Sequence, residues 1–352
     1  MNLSKQFFSL LLAGAMLLSL AACGVITSPD GPTEVIVGST QPEVPPEDAP
    51  PAEETYTVRA AALKGPTAMG LVKLMKDAES GDGQCAGSYE FTLAGSADEV
   101  TPLLIKGDLD VACVPANLAA VLFNRTEGEI VTLAVNTLGV LYIVENGESV
   151  QDIGDLRGRA IVSAGKGSTP EFGLRYLLEQ NGLDPDKDVT IDWKSEHSEC
   201  VAALASGAAA VAMLPQPFVT VAQGKIEGLR VALDLTEEWD ALDNGSAMIT
   251  GVAAARRDFV ENHPDAVKDF LLDYAESTGW VTDNVPEAAA LIGEYGIVDA
   301  AVAEKALPYC NIVCITGQDM ADKLSGYLQV LYEAAPASVG GALPEGGFCY
   351  GA

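Results

Sequence analysis

Basic residues are scarce in this chain. Twenty Lys and Arg stand against 50 Asp and Glu in 352 residues, a formal net charge of −30. No Lys/Arg cluster with interleaved aromatics occurs, so the composition argues against a nucleic-acid partner. Such a surface also repels anionic lipid, so any membrane attachment has to be covalent rather than electrostatic. Histidine is rarer still. His197 and His263 are the only two, and neither belongs to a set of Cys and His large enough to hold zinc, which argues against a zinc site. No Ser-His-Asp set, Walker loop, dinucleotide fingerprint or metal cluster is present, so neither an enzyme nor a cofactor is expected. Aromatic residues make up 6% of the chain, and no aromatic pair or Arg singles out one ligand. The apolar run over residues 7–20 is about 14 long, short of the roughly 20 needed to cross a bilayer as a helix.

What that short run does fit is a secretory signal peptide: Lys5, a greasy core, then small residues. It ends in Leu20-Ala21-Ala22-Cys23, which resembles the bacterial lipobox, whose Cys is acylated and becomes the mature N-terminus. The resemblance implies a signal peptide over 1–22, lipidation at Cys23 and a protein anchored to the cell membrane on its outer side. Residues 23–55 carry seven Pro, seven Asp or Glu and no Lys or Arg. Proline stiffening and like-charge repulsion predict an extended, disordered tether there. Without residues 1–22 the chain keeps 19 basic against 50 acidic residues, a charge of −31.

Six Cys follow Cys23: Cys85, Cys113, Cys200, Cys310, Cys314 and Cys349. An even count in an exported protein invites a disulfide reading, and Cys310 and Cys314 are close enough in sequence to pair. The spacings are otherwise irregular, and six reduced thiols are the simpler account. From Tyr56 onward the pattern predicts strands at 57–63, 89–93, 111–114, 160–163, 190–193 and 211–214. The apolar stretch 131–144 reads as strand, bend and strand. Helices are predicted at 69–75, 97–105, 117–123, 171–180 and 198–206. After about residue 259 the strands stop and four helices follow, at 265–278, 286–295, 300–307 and 318–333. Strands alternating with crossover helices imply parallel sheets covered on both faces, and about 295 folded residues imply two lobes.

An internal echo supports the two lobes. Gly107-Asp-Leu-Asp-Val-Ala-Cys-Val-Pro115 recurs as Gly207-Ala-Ala-Ala-Val-Ala-Met-Leu-Pro215, and Lys64-Gly65-Pro66-Thr67 recurs as Lys166-Gly167-Ser168-Thr169. Both pairs occur in the same order, so two similar α/β units are expected to face one another. The second copy has Ala209 and Ala210 where the first has Leu109 and Asp110, which puts a polar contact from that Asp in doubt for the second lobe.

Three strings then resemble a known family. They are Asp155-Leu156-Arg157-Gly158-Arg159 before a strand, Asn262-His263-Pro264-Asp265-Ala266-Val267 at a helix start, and the Gly-x-Leu-Asp-Val-Ala-x-x-Pro string itself. They resemble the extracytoplasmic solute-binding proteins of ABC transporters, nearest those for alkanesulfonates, taurine, nitrate and thiamine-precursor pyrimidines, over roughly residues 57–333. The resemblance implies an α/β, type II periplasmic-binding-protein-like fold, each lobe a mostly parallel sheet flanked by helices, with the ligand cleft between lobes. Lobe I is expected to comprise 56–140 plus 246–352 and lobe II 141–245. The implied function is capture of a small solute (a sulfonate, a related anion or a pyrimidine-type nutrient) by hinge closure, as a monomer, for delivery to an ABC transporter permease. The alternatives are a tethered ligand sensor, or an enzyme on the same fold such as a pyrimidine-synthesis-like protein.

In open α/β sheets ligands bind beyond the carboxyl ends of strands. That places the candidate contacts at Gly65, Pro66 and Thr67, at Asn117, at Gly167, Ser168 and Thr169, and at Gln216, which is held between two prolines. Asn136 and Thr137 lie where the chain should leave lobe I, as hinge and cleft wall together. Helix starts at these loops favour negative charge. Ser168, Thr169 and Asn117 also fit plain N-caps. Lys64 and Lys166 flank the loops and are expected to be solvated. Trp239 reads as a ring to stack on a ligand or as a core residue.

Overall fold

The computed structural model of the chain describes residues 56–81 and 83–352. The expectations for the signal peptide, Cys23 and the tether lie outside the described residues. Along the chain run β1 (Thr57–Leu63), α1 (Pro66–Met69), α2 (Val72–Ser80), β2 (Ser88–Ala94), α3 (Ala97–Lys106), β3 (Val111–Pro115), α4 (Ala116–Arg125) and β4 (Ile130–Leu138). There follow β5 (Leu141–Glu145), β6 (Ala160–Ala164), α5 (Thr169–Gln180), β7 (Thr190–Lys194), α6 (His197–Ala205), β8 (Val211–Pro215), α7 (Phe218–Lys225), β9 (Arg230–Asp234) and α8 (Leu235–Asp240). The chain closes with β10 (Ile249–Arg256), α9 (Arg257–Asn262), α10 (Pro264–Asp283), α11 (Val285–Glu294), α12 (Ala300–Ala306), β11 (Ile312–Ile315) and α13 (Gly317–Ala334).

The strands form two sheets, one in the order β11-β4-β10-β3-β1-β2 and the other β7-β6-β8-β5-β9. Read from the β2 and β7 edges, the two orders correspond over five strands, and β11 has no counterpart in the second sheet. In each sheet the fourth strand enters from the other half of the chain and runs antiparallel: β10 against β3 and β4, β5 against β8 and β9. The echo thus has a structural counterpart, since β3 and β8 are the third strands of their sheets. Capping boxes repeat it too, Ser96 with Glu99 starting α3 and Glu196 with Glu199 starting α6. The sheets are mostly parallel in strand direction, as expected: β1, β2, β3 and β4 run one way in the first and β6, β7, β8 and β9 in the second, with the crossing strands β10 and β5, and the edge strand β11, running against them.

Two expectations are corrected. Strands do not stop after residue 259, since β11 pairs with β4 at the sheet edge. It is four residues long, too short to show a period. And β10, where the sequence suggested no strand, is Ile-Thr-Gly-Val-Ala-Ala-Ala-Arg, poor in β-formers. Its conformation comes from ladders on both sides rather than from propensity.

Alternation along the strands divides the core. On one face of the first sheet Val58, Ala60, Ala62, Val111, Cys113 and Leu133 are buried with Phe270 and Tyr274 of α10. Its other face joins Ala112, Val114 and Val252 to α4 and α13 and continues to Leu174 and Leu177 of α5 in the second half. Trp239 belongs to that continuous core. It is fully buried, its ring centroid 4.9 Å from that of Tyr176 on α5 and 5.5 Å from that of Tyr327 on α13, with Nε1 donating to Ser246 Oγ at 3.1 Å. It is therefore a packing residue and not a ligand platform.

Asp110 is structural as well. It is buried at the amino end of β3, where it accepts from the Arg59 amide (2.9 Å), the Arg59 guanidinium (3.0 and 2.5 Å) and Tyr56 Oη (3.0 Å). This is the end of the strand away from the carboxyl-end loops, so the change to Ala210 in the echo does not touch the cleft. In the second sheet the buried acid is Glu145, held by Ser149, Val150 and Arg230. Cys113, Cys200, Cys310, Cys314 and Cys349 are free thiols, so the Cys310–Cys314 bridge does not form. No helix among the described residues is long and apolar enough to cross a membrane.

Candidate functional site

The loops after β1, β3, β6 and β8 lead into α1, α4, α5 and α7, and a pattern in their starts marks them. The edge strands β2 and β7 lead into helices with full capping boxes. The inner strands lead into helices whose N-cap residues, Gly65, Pro115, Ser168 and Pro217, make no side-chain cap bond. A helix start leaves four backbone N–H groups without intrahelical partners, together with a positive end of the dipole. Two of these starts are partly served by neighbouring side chains, since Gly167 N donates to Glu171 Oε2 at 2.6 Å before α5 and Thr220 N to Gln216 Oε1 at 3.3 Å in α7, and the remaining N–H groups are available to a ligand.

Each candidate residue has a definite place. Gly65 is buried at φ 156°, ψ −159°, a conformation essentially restricted to glycine, and it turns the chain from β1 into Pro66 at the start of α1. Thr67 Oγ1 donates to Leu63 O at 2.9 Å, bracing the turn. Asn136 and Thr137, at the end of β4, are buried, with Thr137 Oγ1 donating to Asn136 Oδ1 at 3.1 Å. Thr67, Asn136 and Thr137 meet around Gly251 of β10. A Cβ on Gly251 would lie 2.5 Å from Asn136 Oδ1, 3.0 Å from Thr67 Cγ2 and 3.2 Å from Thr137 Cβ. Asn136 Nδ2 is buried without a hydrogen-bond partner.

Asn117, Gly167 and Thr169 form the second group. Asn117 is fully buried, and its Nδ2 donates to Ser338 O at 2.9 Å and to Gly167 O at 3.4 Å. Its Oδ1 accepts from Thr169 Oγ1 at 3.3 Å. Asn117 is thus not the N-cap considered for it, because its amide spans from α4 of one half to the α5 loop of the other. Ser168 is not a side-chain cap either, since Oγ turns back to Gly165 O at 2.7 Å. Gln216 stands apart. Its Oε1 accepts from Thr220 N at 3.3 Å and Thr220 Oγ1 at 2.9 Å, so it serves the first turn of α7 itself. Lys64 and Lys166 are exposed.

Several residues at this site had no place in the sequence reading. Gly251 gave no signal, because its run is poor in β-formers and does not read as a strand. Asn311 holds a left-handed φ of 45° and donates from Nδ2 to Gly139 O at 2.5 Å, bracing the first crossing between halves. Tyr327 of α13 has a buried hydroxyl beside Thr169. Across the rim the two halves also touch, because a Cβ on Gly95 would lie 3.3 Å from Glu99 Oε1 and 3.4 Å from Glu196 Oε1. Neither histidine belongs to the inner loops: His197 starts α6 against Phe218, and His263 stacks on Tyr56.

The family model for the ABC transporter, phosphonate, periplasmic substrate-binding protein matches residues 84–306, more than half of the chain. Among solved structures, an ABC transporter protein from Parabacteroides distasonis is 22% identical, with a TM-score of 0.68 over 83% of this chain and 98% of that one. The periplasmic aliphatic sulphonate-binding protein SsuA of Escherichia coli is 17% identical, with a TM-score of 0.65 over 82% and 94%. The nitrate-binding protein NrtA of Synechocystis PCC 6803 is 18% identical, with a TM-score of 0.55 over 71% and 69%. No curated protein sequence matches the chain. These structural likenesses establish the two-lobed, type II periplasmic-binding-protein-like fold.

Proposed function

Since the chain belongs to the family of periplasmic substrate-binding proteins of phosphonate-type ABC transporters, we propose that it captures a small polar solute at the uncapped starts of α1, α4 and α5 and hands it to a permease. The observation that supports this reading is the meeting of buried polar side chains where the inner strands end: Thr67, Asn136 and Thr137 around Gly251, and Asn117 with Thr169. Lobe I is taken as 56–140 plus 246–352 and lobe II as 141–245, with closure about the crossings at residues 138–141 and 241–248. Thr67, Asn136 and Thr137 then line one side of the cleft, with Gly65 and Pro66 shaping the turn beneath them. Asn117, Gly167, Ser168 and Thr169 line the other, and Gln216 fixes the start of α7. The solute is a sulfonate, a related small anion or a pyrimidine-type nutrient, and Cys23 carries the lipid that keeps a monomeric binder at the outer membrane surface of the cell.

Thermal denaturation of chain 23–352 with ethanesulfonate, nitrate or a hydroxymethylpyrimidine tests the binding. A true solute at a hundredfold excess over its Kd adds about 2.7 kcal/mol of stability, a rise of several degrees in Tm. No rise with any small solute would refute the reading. Lipidation is tested separately, by incorporation of a labelled fatty acid in cells that is lost in Cys23→Ser.

A further inference from the structure

Asn117 meets two segments far from it in the chain, and the way its carboxamide is filled bears on lobe closure. Its Nδ2 donates to Ser338 O at 2.9 Å and to Gly167 O at 3.4 Å, and its Oδ1 accepts from Thr169 Oγ1 at 3.3 Å. Ser338 O and Gly167 O are carbonyls, which only accept, so the amide nitrogen has to face them and the oxygen has to face Thr169. Both amide hydrogens are then used, and one orientation remains. Resting on the two-lobed solute-binding reading above, we propose that Asn117 is a latch. It is a positioning residue that holds the start of α4 to the α5 loop in the closed form and so sets how fast solute enters and leaves. None of its bonds needs a solute atom.

The anchor of the latch is the turn Pro336–Val339 after α13. Ser338 Oγ donates to Leu331 O of α13 at 3.1 Å. Further along α4, Asn124 Nδ2 donates to Val339 O at 2.8 Å and Ala342 O at 2.7 Å. Ser338 O is thereby fixed to the half that carries Asn117. On the other side Gly167 N donates to Glu171 Oε2 at 2.6 Å, so the peptide that Asn117 meets is tied to α5. Lys64 and Lys166, which flank these loops, are exposed. Asn117, Thr169 and Ser338 are fully buried, with Tyr327 beside Thr169. The bonds to Gly167 and from Thr169 cross between the halves, so they break when the lobes part. Thr67 and Thr137 differ, because their hydroxyls donate to Leu63 O and Asn136 Oδ1 within one half. Neutral hydrogen bonds exchange for water at a small net cost, which is what a reversible latch requires.

Small-angle scattering of solute-free chain 23–352 reads the lobes directly, since every variant carries the same residues 23–55. Asn117→Ala should have a larger radius of gyration than the parent chain, with circular dichroism confirming the fold. Thr169→Val removes the hydroxyl and keeps the branched shape, so it should shift the same way and decides the matter if Asn117→Ala does not fold. Thr169→Ser keeps the hydroxyl and should shift less. An unchanged radius in both Asn117→Ala and Thr169→Val overturns the latch. Stopped-flow binding follows with whichever of ethanesulfonate, nitrate or hydroxymethylpyrimidine raises Tm. Solute enters the open form, so loss of the latch should raise kon and koff together, koff by about fivefold for one hydrogen bond. A faster koff with unchanged kon would make Asn117 a solute contact and overturn the latch. Silence from all three compounds refutes the solute-binding reading, and the scattering then judges the latch by itself.

Discussion

Gly251→Ala is the substitution that tests fold and site together. Gly251 sits in β10 between β3 and β4, where the ladder to β4 shifts register on either side of it. Its φ is not positive, so alanine brings no backbone strain and the whole effect is steric. The new methyl would stand 2.5 Å from Asn136 Oδ1 and 3.0 Å from Thr67 Cγ2, closer than side-chain carbons settle. Neither neighbour yields easily. Asn136 is fully buried, and Thr67 is β-branched and tied to Leu63 O. Overpacking of this kind costs about 1–3 kcal/mol. For a domain of this size that lowers Tm by about 2–4 °C per kcal/mol. Because both displaced residues are assigned to the cleft, solute affinity should fall in the same variant, by about five- to tenfold if one hydrogen bond is lost. Scanning calorimetry gives the first quantity and isothermal titration the second. Thr67→Ser in the Gly251→Ala background removes Cγ2 and should return part of the lost stability. An unchanged Tm would refute the packing argument. A lowered Tm with unchanged affinity would remove Asn136 and Thr67 from the binding site.

Other outcomes follow from the same coordinates. Asp110→Asn leaves the Arg59 guanidinium without its anion, so stability should fall by about 1–3 kcal/mol while solute affinity stays constant, because the residue lies at the far end of β3. A drop in affinity would contradict that placement. Burial pushes His197 down to about 4 from 6.5. The unfolded chain takes up the proton first, so stability is lost as pH falls from 6.5 towards 4, by up to about 3 kcal/mol. His197→Gln should flatten that segment of a stability–pH profile. Burial raises Glu145, but bonds from Ser149, Val150 and Arg230 outweigh it and hold it at about 2. Its contribution is present above pH 4.5 and lost between 4.5 and about 2, a second step that Glu145→Gln should erase. At the rim, Glu99 and Glu196 bring like charges together from the two halves. Glu196→Gln should tighten solute binding by about two- to fivefold at low salt and hardly at all at high salt. A gain independent of salt would count against repulsion as the cause.

Much of the architecture was legible because it rests on local repetition. The strands at 57–63, 111–115 and 211–215 are β-branched or small and bounded by Gly or Pro, and the echo of Gly107–Pro115 in Gly207–Pro215 located equivalent strands in both sheets. The loops at Gly65 and Gly167 were found for the same reason. β10 and β11 were missed because their conformation is imposed by neighbours in the sheet. Tyr327 was not singled out, because the periodicity of a helix reports which face is buried and not what a hydroxyl on that face meets.

The sequence by itself determined the composition of the site: short loops of Gly, Pro, Ser and Thr between inner strands and helices, flanked by Lys64 and Lys166. Only the tertiary structure decided how those residues are used. Asn117 looked like a cap and instead joins α4 to the α5 loop, Ser168 turns its hydroxyl away from its own helix, and Asp110 is locked to Arg59 at the opposite end of the strand. Hydrogen-bond partners are set by distances between segments 50 to 220 residues apart, and no local pattern encodes those distances.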